Sequence, residues 1–232
     1  MIEEPPAVTI KRQFERPSRQ SLEALRGVPT PFVVDAMDGR GALHHDIQPL
    51  AEQATAENHF VGSALTCHCG PADNLALFAA VKMVDSGDVV VAATDRFEAT
   101  CVTGDQLLAL LKNQGAIGFV TDGLVRDVGG ILQVDIPVLC RGVTPNAPVA
   151  NGPGSVGLDI TLGGVTIASG DVIVADRDGI VVVPRQQLPA VLDRLGEIKR
   201  LEAEMDAAVK TGQGFPEHIR AIIDSDRVRY VD

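Results

Sequence analysis

The sequence predicts an α/β fold with a mostly parallel central sheet, a C-terminal β-hairpin region and a long C-terminal helix. Short β-branched runs such as Asp88–Ala92 alternate with helical segments as far as Arg141. This alternation is typical of strands buried on both faces of a parallel sheet. Beyond Arg141, Gly, Pro and Asp become frequent and the apolar runs resemble hairpins. The chain has 232 residues, 45% of them apolar, and is therefore long enough to bury the core of one such domain.

The N-terminal part predicts an arm followed by two short helices. Residues 1–17 carry three prolines and mixed charges, so we expect them to be disordered or to wrap around a neighbouring subunit. Residues 18–232 are expected to form a single domain, because no linker, repeat or low-complexity tract divides them. Residues 18–38 have a helical pattern that breaks at Val28–Pro31, where Thr30 is expected to cap the second helix.

The alternating region that follows predicts the parallel core. We expect strands at Phe60–Cys67, Asp88–Ala92, Ala116–Thr121 and Ile136–Cys140, and helices at Asp73–Val84 and Thr103–Leu111. The first of these helices is apolar on most faces, which indicates that it is buried.

The last third predicts tight turns and then one long helix. The segment DVIVADRDGIVVVPR predicts a strand, an Asp-Arg-Asp-Gly turn and a second strand, and Val165–Ala168 adds another strand. The helix is expected at about residues 186–212. Apolar residues recur along it at helical spacing: Leu188, Val191, Leu192, Leu195, Ile198 and Leu201. This stripe either folds back on its own domain or is covered by a neighbouring subunit of a cyclic oligomer.

Composition excludes several classes of protein. The formal charge of −11 argues against a nucleic-acid binder, which normally has a basic face. No apolar run approaches the roughly 20 residues of a membrane span. The N-terminus lacks the apolar segment of a signal peptide, and four cysteines do not make a disulfide framework. We therefore expect an intracellular, cytoplasmic protein with reduced cysteines.

The most informative motif is GAIGFVTDGLVRD, at residues 115–127. A buried strand leads through Asp122 and a glycine turn to Arg126 and Asp127, at the carboxyl end of the strand, where ligands bind in α/β sheets. An arginine can bind a carboxylate through two parallel hydrogen bonds, and an aspartate offers oxygen ligands for a hard divalent cation. The alternative is an ordinary surface ion pair.

A second candidate is the start of the helix in VTGDQLLALL. Thr103 is expected to be the N-cap, so that Gly104, Asp105, Gln106 and Leu107 present free amides to an anion. Asp105 could equally serve only as a favourable charge for the dipole of its own helix.

Other motifs predict no chemistry. In TCHCGPAD, Cys67 and Cys69 share one face of a strand while His68 lies on the other, and no second ligand pair has zinc spacing, so we expect core cysteines. His44 and His45 are expected in a solvated loop. Neither a Gly-x-Ser-x-Gly elbow nor a phosphate-binding P-loop motif occurs in the sequence.

Taken together and in order, five segments resemble the RraA-like proteins: GDVVVA, TGDQLL, GAIGFVTDGLVRD, IPVLCRGVTPNAP and SGDVIVADRDGIVVVPR. The resemblance extends from about Val33 to Gly212. It implies a swivelling β/β/α domain that assembles as a homotrimer or homohexamer. It also implies the class II 4-hydroxy-4-methyl-2-oxoglutarate aldolase branch, whose members decarboxylate oxaloacetate and use Mg²⁺ or Mn²⁺.

The resemblance assigns roles to individual residues. It implies that Arg126 binds the pyruvyl substrate and stabilises its enolate, and that Asp127 is the direct metal ligand. The amides of residues 104–107 would bind the substrate carboxylate. Asp105, together with Glu202 from a neighbouring subunit, would hold a metal-bound water that acts as the base.

Two further expectations concern the acids and the loop after Asp88–Ala92. Asp122 is expected in the second coordination shell. If Asp105, Asp122 and Asp127 cluster, two carboxylates about 6 Å apart would repel by about 3 kcal/mol at an effective dielectric constant near 20, which calls for a cation. Family members have a glycine-rich stretch where this chain has Ala92–Arg96, so the aldol substrate stays open. The alternative function is a non-catalytic regulator of ribonuclease E.

Overall fold

The computed structural model describes residues 4–50, 59–212 and 216–231. The first three residues of the predicted arm therefore lie outside it. In the described residues, strands β1 to β14 span Val8–Ile10, Gln48–Pro49, Phe60–Cys69, Asp88–Ala93, Cys101–Thr103, Gly118–Thr121, Leu124–Val125, Val138–Cys140, Gly142–Val143, Gly154–Val156, Ile160–Leu162, Val165–Ile167, Val172–Asp176 and Gly179–Val183. Helices α1 to α7 span Arg19–Glu23, Thr30–Ala36, Leu75–Ala80, Asp105–Asn113, Val128–Val134, Leu188–Lys210 and Glu217–Ile223, and a 3₁₀ turn at Arg185–Gln187 precedes α6.

The central sheet confirms the predicted parallel core. Strands β3, β4, β6 and β8 lie side by side and all run parallel, while β2 pairs antiparallel with β8 at one edge. On the other side of β3, its first half pairs antiparallel with β13 and its last three residues pair antiparallel with β10. The predicted hairpin is β13–β14, with Asp176 opposite Gly179.

The sheet is covered on both faces. Helices α3, α4 and α5 contribute to one apolar cluster on one face. A second cluster joins the sheet to β11 and β12, and a third packs α2 and α6 against β13 and β14. Because the strands are buried on both faces, their sequences are continuous apolar runs rather than alternating ones.

The predicted arm contributes to this chain's own sheet. β1 pairs parallel with β10. Further along, both Nε and Nη2 of Arg16 donate to the carboxylate of Asp88 at 2.8 Å, and Asp88 is 1% exposed. The division into an arm and one domain stays a prediction, but both Val8–Ile10 and Arg16 contact their own chain rather than a neighbouring subunit.

Two details of the helices differ from the predictions. The N-cap of α2 is Pro29, and Thr30 is not a cap: its backbone amide and hydroxyl donate to the carboxylate of Asp176, at 2.8 and 2.7 Å. The stripe on α6 divides in two. Leu188, Val191 and Leu195 are buried on the same domain, whereas the apolar side chains of the last three turns are exposed: Leu201, Met205 and Val209.

Candidate active site

The candidate site lies where the parallel strands end. After β4, β6 and β8, the chain enters β5, β7 and β9, which form a small parallel sheet of their own. Arg126 follows β7, and its amide donates to the carbonyl of Thr103 in β5 at 3.0 Å. Helix α4 starts directly after β5, so the two predicted motifs meet at this edge.

Arg126 and Asp127 form an ion pair, with Arg126 Nε 3.0 Å from Asp127 Oδ2. The two side chains are 40% and 47% exposed, and at that exposure such a pair contributes little to stability. Asp127 has left-handed backbone angles, φ 60° and ψ 44°, and occupies the N-cap position of α5 without a capping hydrogen bond from its side chain. Few non-glycine residues adopt this conformation, and where they do it is often at a functional site.

Gly104 allows the close approach of α4 to this pair. A Cβ atom at Gly104 would lie 2.6 Å from Asp127 Oδ2 and 3.2 Å from Arg126 Cγ. Its backbone is extended, with φ −138° and ψ −170°, and therefore accessible to any residue. Glycine is needed here for space rather than for backbone freedom.

The N-cap of α4 lies one residue later than predicted. Thr103 belongs to β5, and Gly104 is the N-cap, without a side chain to cap the first turn. The backbone amides of this turn therefore have no carbonyl partner within the helix. Asp105 Oδ1 accepts from the amide of Gln106 at 2.7 Å, and a Cβ atom on Gly130 of α5 would overlap the Asp105 carboxylate.

A cavity of about 180 Å³ lies over this corner. Its lining brings together six of the predicted site residues: Gly104, Asp105, Gln106, Leu107, Arg126 and Asp127. The volume is below the roughly 300–1,000 Å³ of sites for drug-sized ligands, so the cavity suits a small metabolite.

Asp122 does not line this cavity. It is 2% exposed, and its carboxylate accepts from the amide and hydroxyl of Thr94, at 2.6 and 3.0 Å, and from the amide of Arg96 at 3.1 Å. Asp122 thus anchors the loop after β4, the segment in which this chain departs from the glycine-rich family pattern. These three hydrogen bonds stabilise the buried carboxylate.

Glu202 also lies away from the cavity within its own chain. It is exposed on the distal half of α6, between residues 188–195, which pack on the domain, and the end of the helix. Any part that Glu202 plays in a site therefore requires a second copy of the chain.

The structure adds lining residues that the sequence motifs did not mark. Asn74 donates through Nδ2 to the carbonyl of Val102 at 3.1 Å, and Phe78, Cys101, Leu110 and Pro148 complete the wall. Burial raises the pKa of the Cys101 thiol, while the Arg126 charge opposes that shift. The sequence contains one signal for these residues, a spacing of four. It places Asn74 and Phe78 on one helix face, and Gln106 and Leu110 on another.

The donor set fits a hard divalent cation at Asp127. No three His, Cys, Asp or Glu side chains form a metal-binding group among the described residues, so the expected cluster of three acids does not occur. Mg²⁺ is nevertheless often held by one or two carboxylates, with substrate and water oxygens as its other ligands. The Asp127 carboxylate, half exposed in a cavity that also holds free amides and an arginine, suits that mode.

The cysteines set aside in the sequence lie in the core, and the two histidines lie at the surface. Cys67 and Cys69 are fully buried, and burial raises the pKa of Cys69 to about 12, so these are inert core thiols. His44 and His45 are exposed and stacked on each other, with ring centroids 4.4 Å apart.

Within the described residues, none of the helices has the length and apolar character needed to cross a membrane.

Comparison with known proteins places this geometry in a family. A family model described as RraA-like, Aldolase/RraA, matches residues 30–182. A protein of Halalkalibacterium halodurans named "Putative 4-hydroxy-4-methyl-2-oxoglutarate aldolase" is 34% identical over 203 residues, which cover 88% of this chain and 93% of the relative.

Solved structures agree with this family match. An uncharacterized protein from Pseudomonas syringae has 25% identity and a TM-score of 0.75, over 87% of this chain and 93% of its own. RraAS2 from Streptomyces coelicolor, described as an unusual member of the RNase ES inhibitor RraA protein family, has 26% identity and a TM-score of 0.73, over 83% of this chain and 99% of its own. The chain belongs to the RraA-like, Aldolase/RraA family.

Proposed function

We propose that this protein is a divalent-metal-dependent lyase that cleaves pyruvyl-containing acids, by retro-aldol cleavage and by decarboxylation of oxaloacetate. The observation that carries the proposal is one small cavity in which Arg126, the first turn of α4 and the Asp127 carboxylate all face the same space. The aldolase name of the 34% identical relative supports the same class of reaction.

The chain's own groups suit the binding of a 2-oxo acid. The first-turn amides of α4 that have no partner can donate hydrogen bonds to the C1 carboxylate, because a helix N-terminus favours anions. Arg126 then lies beside the C2 oxygen. When the C3–C4 bond breaks, its electron pair moves towards that oxygen as the enolate forms, and a fixed cation there stabilises the transition state more than the ground state.

Asp127 would hold Mg²⁺ or Mn²⁺, which as a Lewis acid polarises the oxygens of the keto acid. The Nε of Arg126 orients the Asp127 carboxylate for this role, and the missing side chain of Gly104 leaves room for it. None of the residues that line the cavity in the described chain is a lysine, so the site offers no amine for a Schiff-base mechanism.

Retro-aldol cleavage also requires a base for the C4 hydroxyl proton. Asp105 lines the cavity with its carboxylate confined between the Gln106 amide and Gly130. We propose that Asp105 and the Glu202 of a neighbouring copy hold the water that takes this proton. The exposed apolar residues of the same helix turns, Leu201 and Met205, would then lie at the contact between copies.

This shared site is testable by complementation. Asp127→Ala and Glu202→Ala are each expected to be inactive or weakly active alone, and activity should reappear when they are unfolded and refolded together. Mixed oligomers, confirmed by mass, would contain some sites that carry both substitutions and some that carry neither. Glu197→Ala, which removes an exposed acid from the same helix, is the control and should keep parental activity. A mixture no more active than the average of its parts would place Glu202 outside the site.

The lyase itself is tested with oxaloacetate. Chelated protein should form no pyruvate, and added Mg²⁺ or Mn²⁺ should restore pyruvate formation, followed through lactate dehydrogenase and NADH. Because the metals alone decarboxylate oxaloacetate, two reference rates of pyruvate formation are needed: one with metal but no protein, and one with metal and Arg126→Ala. A parental rate no higher than these references would contradict the lyase.

The second candidate is a regulator of a ribonuclease, which the name of the Streptomyces coelicolor neighbour favours. A regulator requires no catalytic turnover. If this protein has no lyase activity but slows RNA cleavage by ribonuclease E, that result would support the regulator function instead.

A further inference from the structure

The loop between β9 and β10, residues 144–153, is bound to two of the strands that carry the cavity. At its start, the amide of Thr144 donates to the carbonyl of Val125 in β7 at 3.0 Å, and Arg126 directly follows that strand. Two residues later, the carbonyl of Asn146 accepts from the amide of Cys101 in β5 at 2.8 Å. The first half of the β9–β10 loop is therefore attached to the side of the cavity that holds the arginine.

The second half of the β9–β10 loop is bound to the start of α3. Val149 accepts from the amide of Asn74 at 3.0 Å and donates its own amide to the carbonyl of Ala72 at 2.8 Å. Pro148 directly precedes Val149, and both Pro148 and Asn74 line the cavity. The position of this half of the loop on α3 therefore determines where these two side chains stand relative to Arg126.

One carboxylate, that of Asp73, joins the loop to the helix. Asp73 Oδ1 accepts from the amide of Leu75 in α3 at 2.8 Å, and Oδ2 accepts from the loop amides of Asn151 and Gly152, at 2.6 and 2.8 Å. Asp73 is 6% exposed and does not line the cavity. A buried carboxylate needs hydrogen-bond donors, so its burial favours the loop position in which these amides reach it. A second copy of the chain could only bury Asp73 further.

We propose that Asp73 is a positioning residue of this cavity. Its carboxylate holds the β9–β10 loop on α3 and thereby sets the distance between the wall formed by Asn74 and Pro148 and the Arg126–Asp127 pair. This inference rests on the proposed lyase function. Neither wall residue supplies an acid, a base or a charge, so contact with this wall stabilises the bound substrate and the transition state alike. Loss of such uniform binding raises KM and leaves kcat unchanged.

Asp73→Asn tests the role of the carboxylate. Because both oxygens of Asp73 accept hydrogen bonds from backbone amides, either orientation of the asparagine amide places its NH₂ group against an N–H donor. With Mg²⁺ present, KM for oxaloacetate should rise about tenfold, the scale of one lost contact in a binding pocket, while kcat changes less than about twofold. The Kd of pyruvate, measured by calorimetry with Mg²⁺, should rise by the same factor.

Asp171→Asn is the matched control. Asp171 is also 6% exposed, and its carboxylate accepts from the backbone amides of Ala168 and Arg185, both at 2.9 Å, but it does not line the cavity. Both variants should therefore unfold at a lower urea concentration than the parent, and only Asp73→Asn should raise KM. If both variants raise KM equally, lost stability alone explains the effect and the proposal is wrong.

The reactivity of Cys101 follows the loop without any turnover. Cys101 is 2% exposed, and its backbone amide is bound to the β9–β10 loop. Release of the loop in Asp73→Asn should speed alkylation of Cys101 by iodoacetamide severalfold relative to the parent and to Asp171→Asn, with the modified residue identified by mass spectrometry. An unchanged rate would mean that the loop stays in place without Asp73, which overturns the proposal.

Pro148→Ala keeps the proposal testable if Asp73→Asn does not fold. This variant retains the Asp73 bridge and shortens the wall, so KM for oxaloacetate should rise and kcat should not fall; a parental KM overturns the proposal. In the double variant the two increases in KM should not add, because both substitutions act on the same wall, and full additivity would equally contradict it. If the parent protein does not turn over oxaloacetate, the lyase is wrong, and the alkylation of Cys101 still decides whether Asp73 holds the loop.

Discussion

Replacing Gly104 by alanine should lower the activity and leave the stability of the fold almost unchanged. The new Cβ atom would lie 2.6 Å from Asp127 Oδ2, whereas an ordinary contact begins at about 3.4 Å, so the carboxylate must move by about 0.8 Å. A displacement of about 1 Å in a catalytic group can lower the rate ~10²-fold, which is about 2.7 kcal/mol of transition-state stabilisation. We expect kcat to fall by that factor.

The stability of the Gly104→Ala variant should change little. The backbone angles at Gly104 are accessible to alanine, and the atom it would meet is the end of a half-exposed side chain, which can rotate away. Alanine also restricts the unfolded chain, which stabilises by about 0.4–1 kcal/mol. We therefore expect the free energy of unfolding, measured in urea, to stay within about 1 kcal/mol of the parental value.

Gly196→Ala is the matched control. Gly196 lies inside α6, and no atom lies within 4 Å of its added Cβ, so the variant should gain up to about 1 kcal/mol of stability and keep parental activity. The assay is pyruvate release from oxaloacetate with saturating Mg²⁺. Parental kcat/KM in Gly104→Ala would refute the idea that the positions of Asp127 and Arg126 determine the rate.

Three further predictions concern individual contacts. Arg126→Lys should lose at least ~10²-fold in kcat, almost as much as Arg126→Ala, because a lysine cannot make the two parallel hydrogen bonds of the guanidinium. If kcat and KM stay near the parental values, Arg126 contributes only a general positive charge. Asp122→Ala removes the acceptor for Thr94 and leaves buried donors unpaired, so the free energy of unfolding should fall by about 3 kcal/mol; an unchanged urea midpoint would count against this role. Arg16→Ala leaves the buried Asp88 carboxylate without its cation and should lower the free energy of unfolding by about 3 kcal/mol in the same measurement. No loss would mean that the N-terminal segment is not part of the domain.

The parallel core and the hairpin were predictable because their patterns are local. Asp88–Ala92 and Gly118–Thr121 are short β-branched runs, and the Asp-Arg-Asp-Gly turn determines the register of β13 with β14. The contact between the VRD motif and the start of α4 also follows, in outline, from the rule that ligands bind at the carboxyl ends of parallel strands.

The long-range contacts could not be predicted from local pattern. The backbone amide of Thr30 donates to Asp176, 146 residues away, and Arg16 pairs with Asp88 across 72 residues. A sequence shows which residues are polar but not which distant amide each will bind. For the same reason the sequence motif does not show that the Asp122 carboxylate accepts hydrogen bonds from Thr94 and Arg96 in the loop after β4.

In the proposed lyase, one carboxylate, Asp127, holds a divalent cation beside Arg126 in this cavity. The most direct test is a crystal grown with Mn²⁺ and pyruvate, examined for anomalous scattering from manganese. We predict one peak in contact with the Asp127 carboxylate, with pyruvate between it and the first turn of α4, and no peak there in Asp127→Asn. If manganese binds elsewhere in the parent protein, or binds at this place equally well in Asp127→Asn, then Asp127 is not the metal ligand.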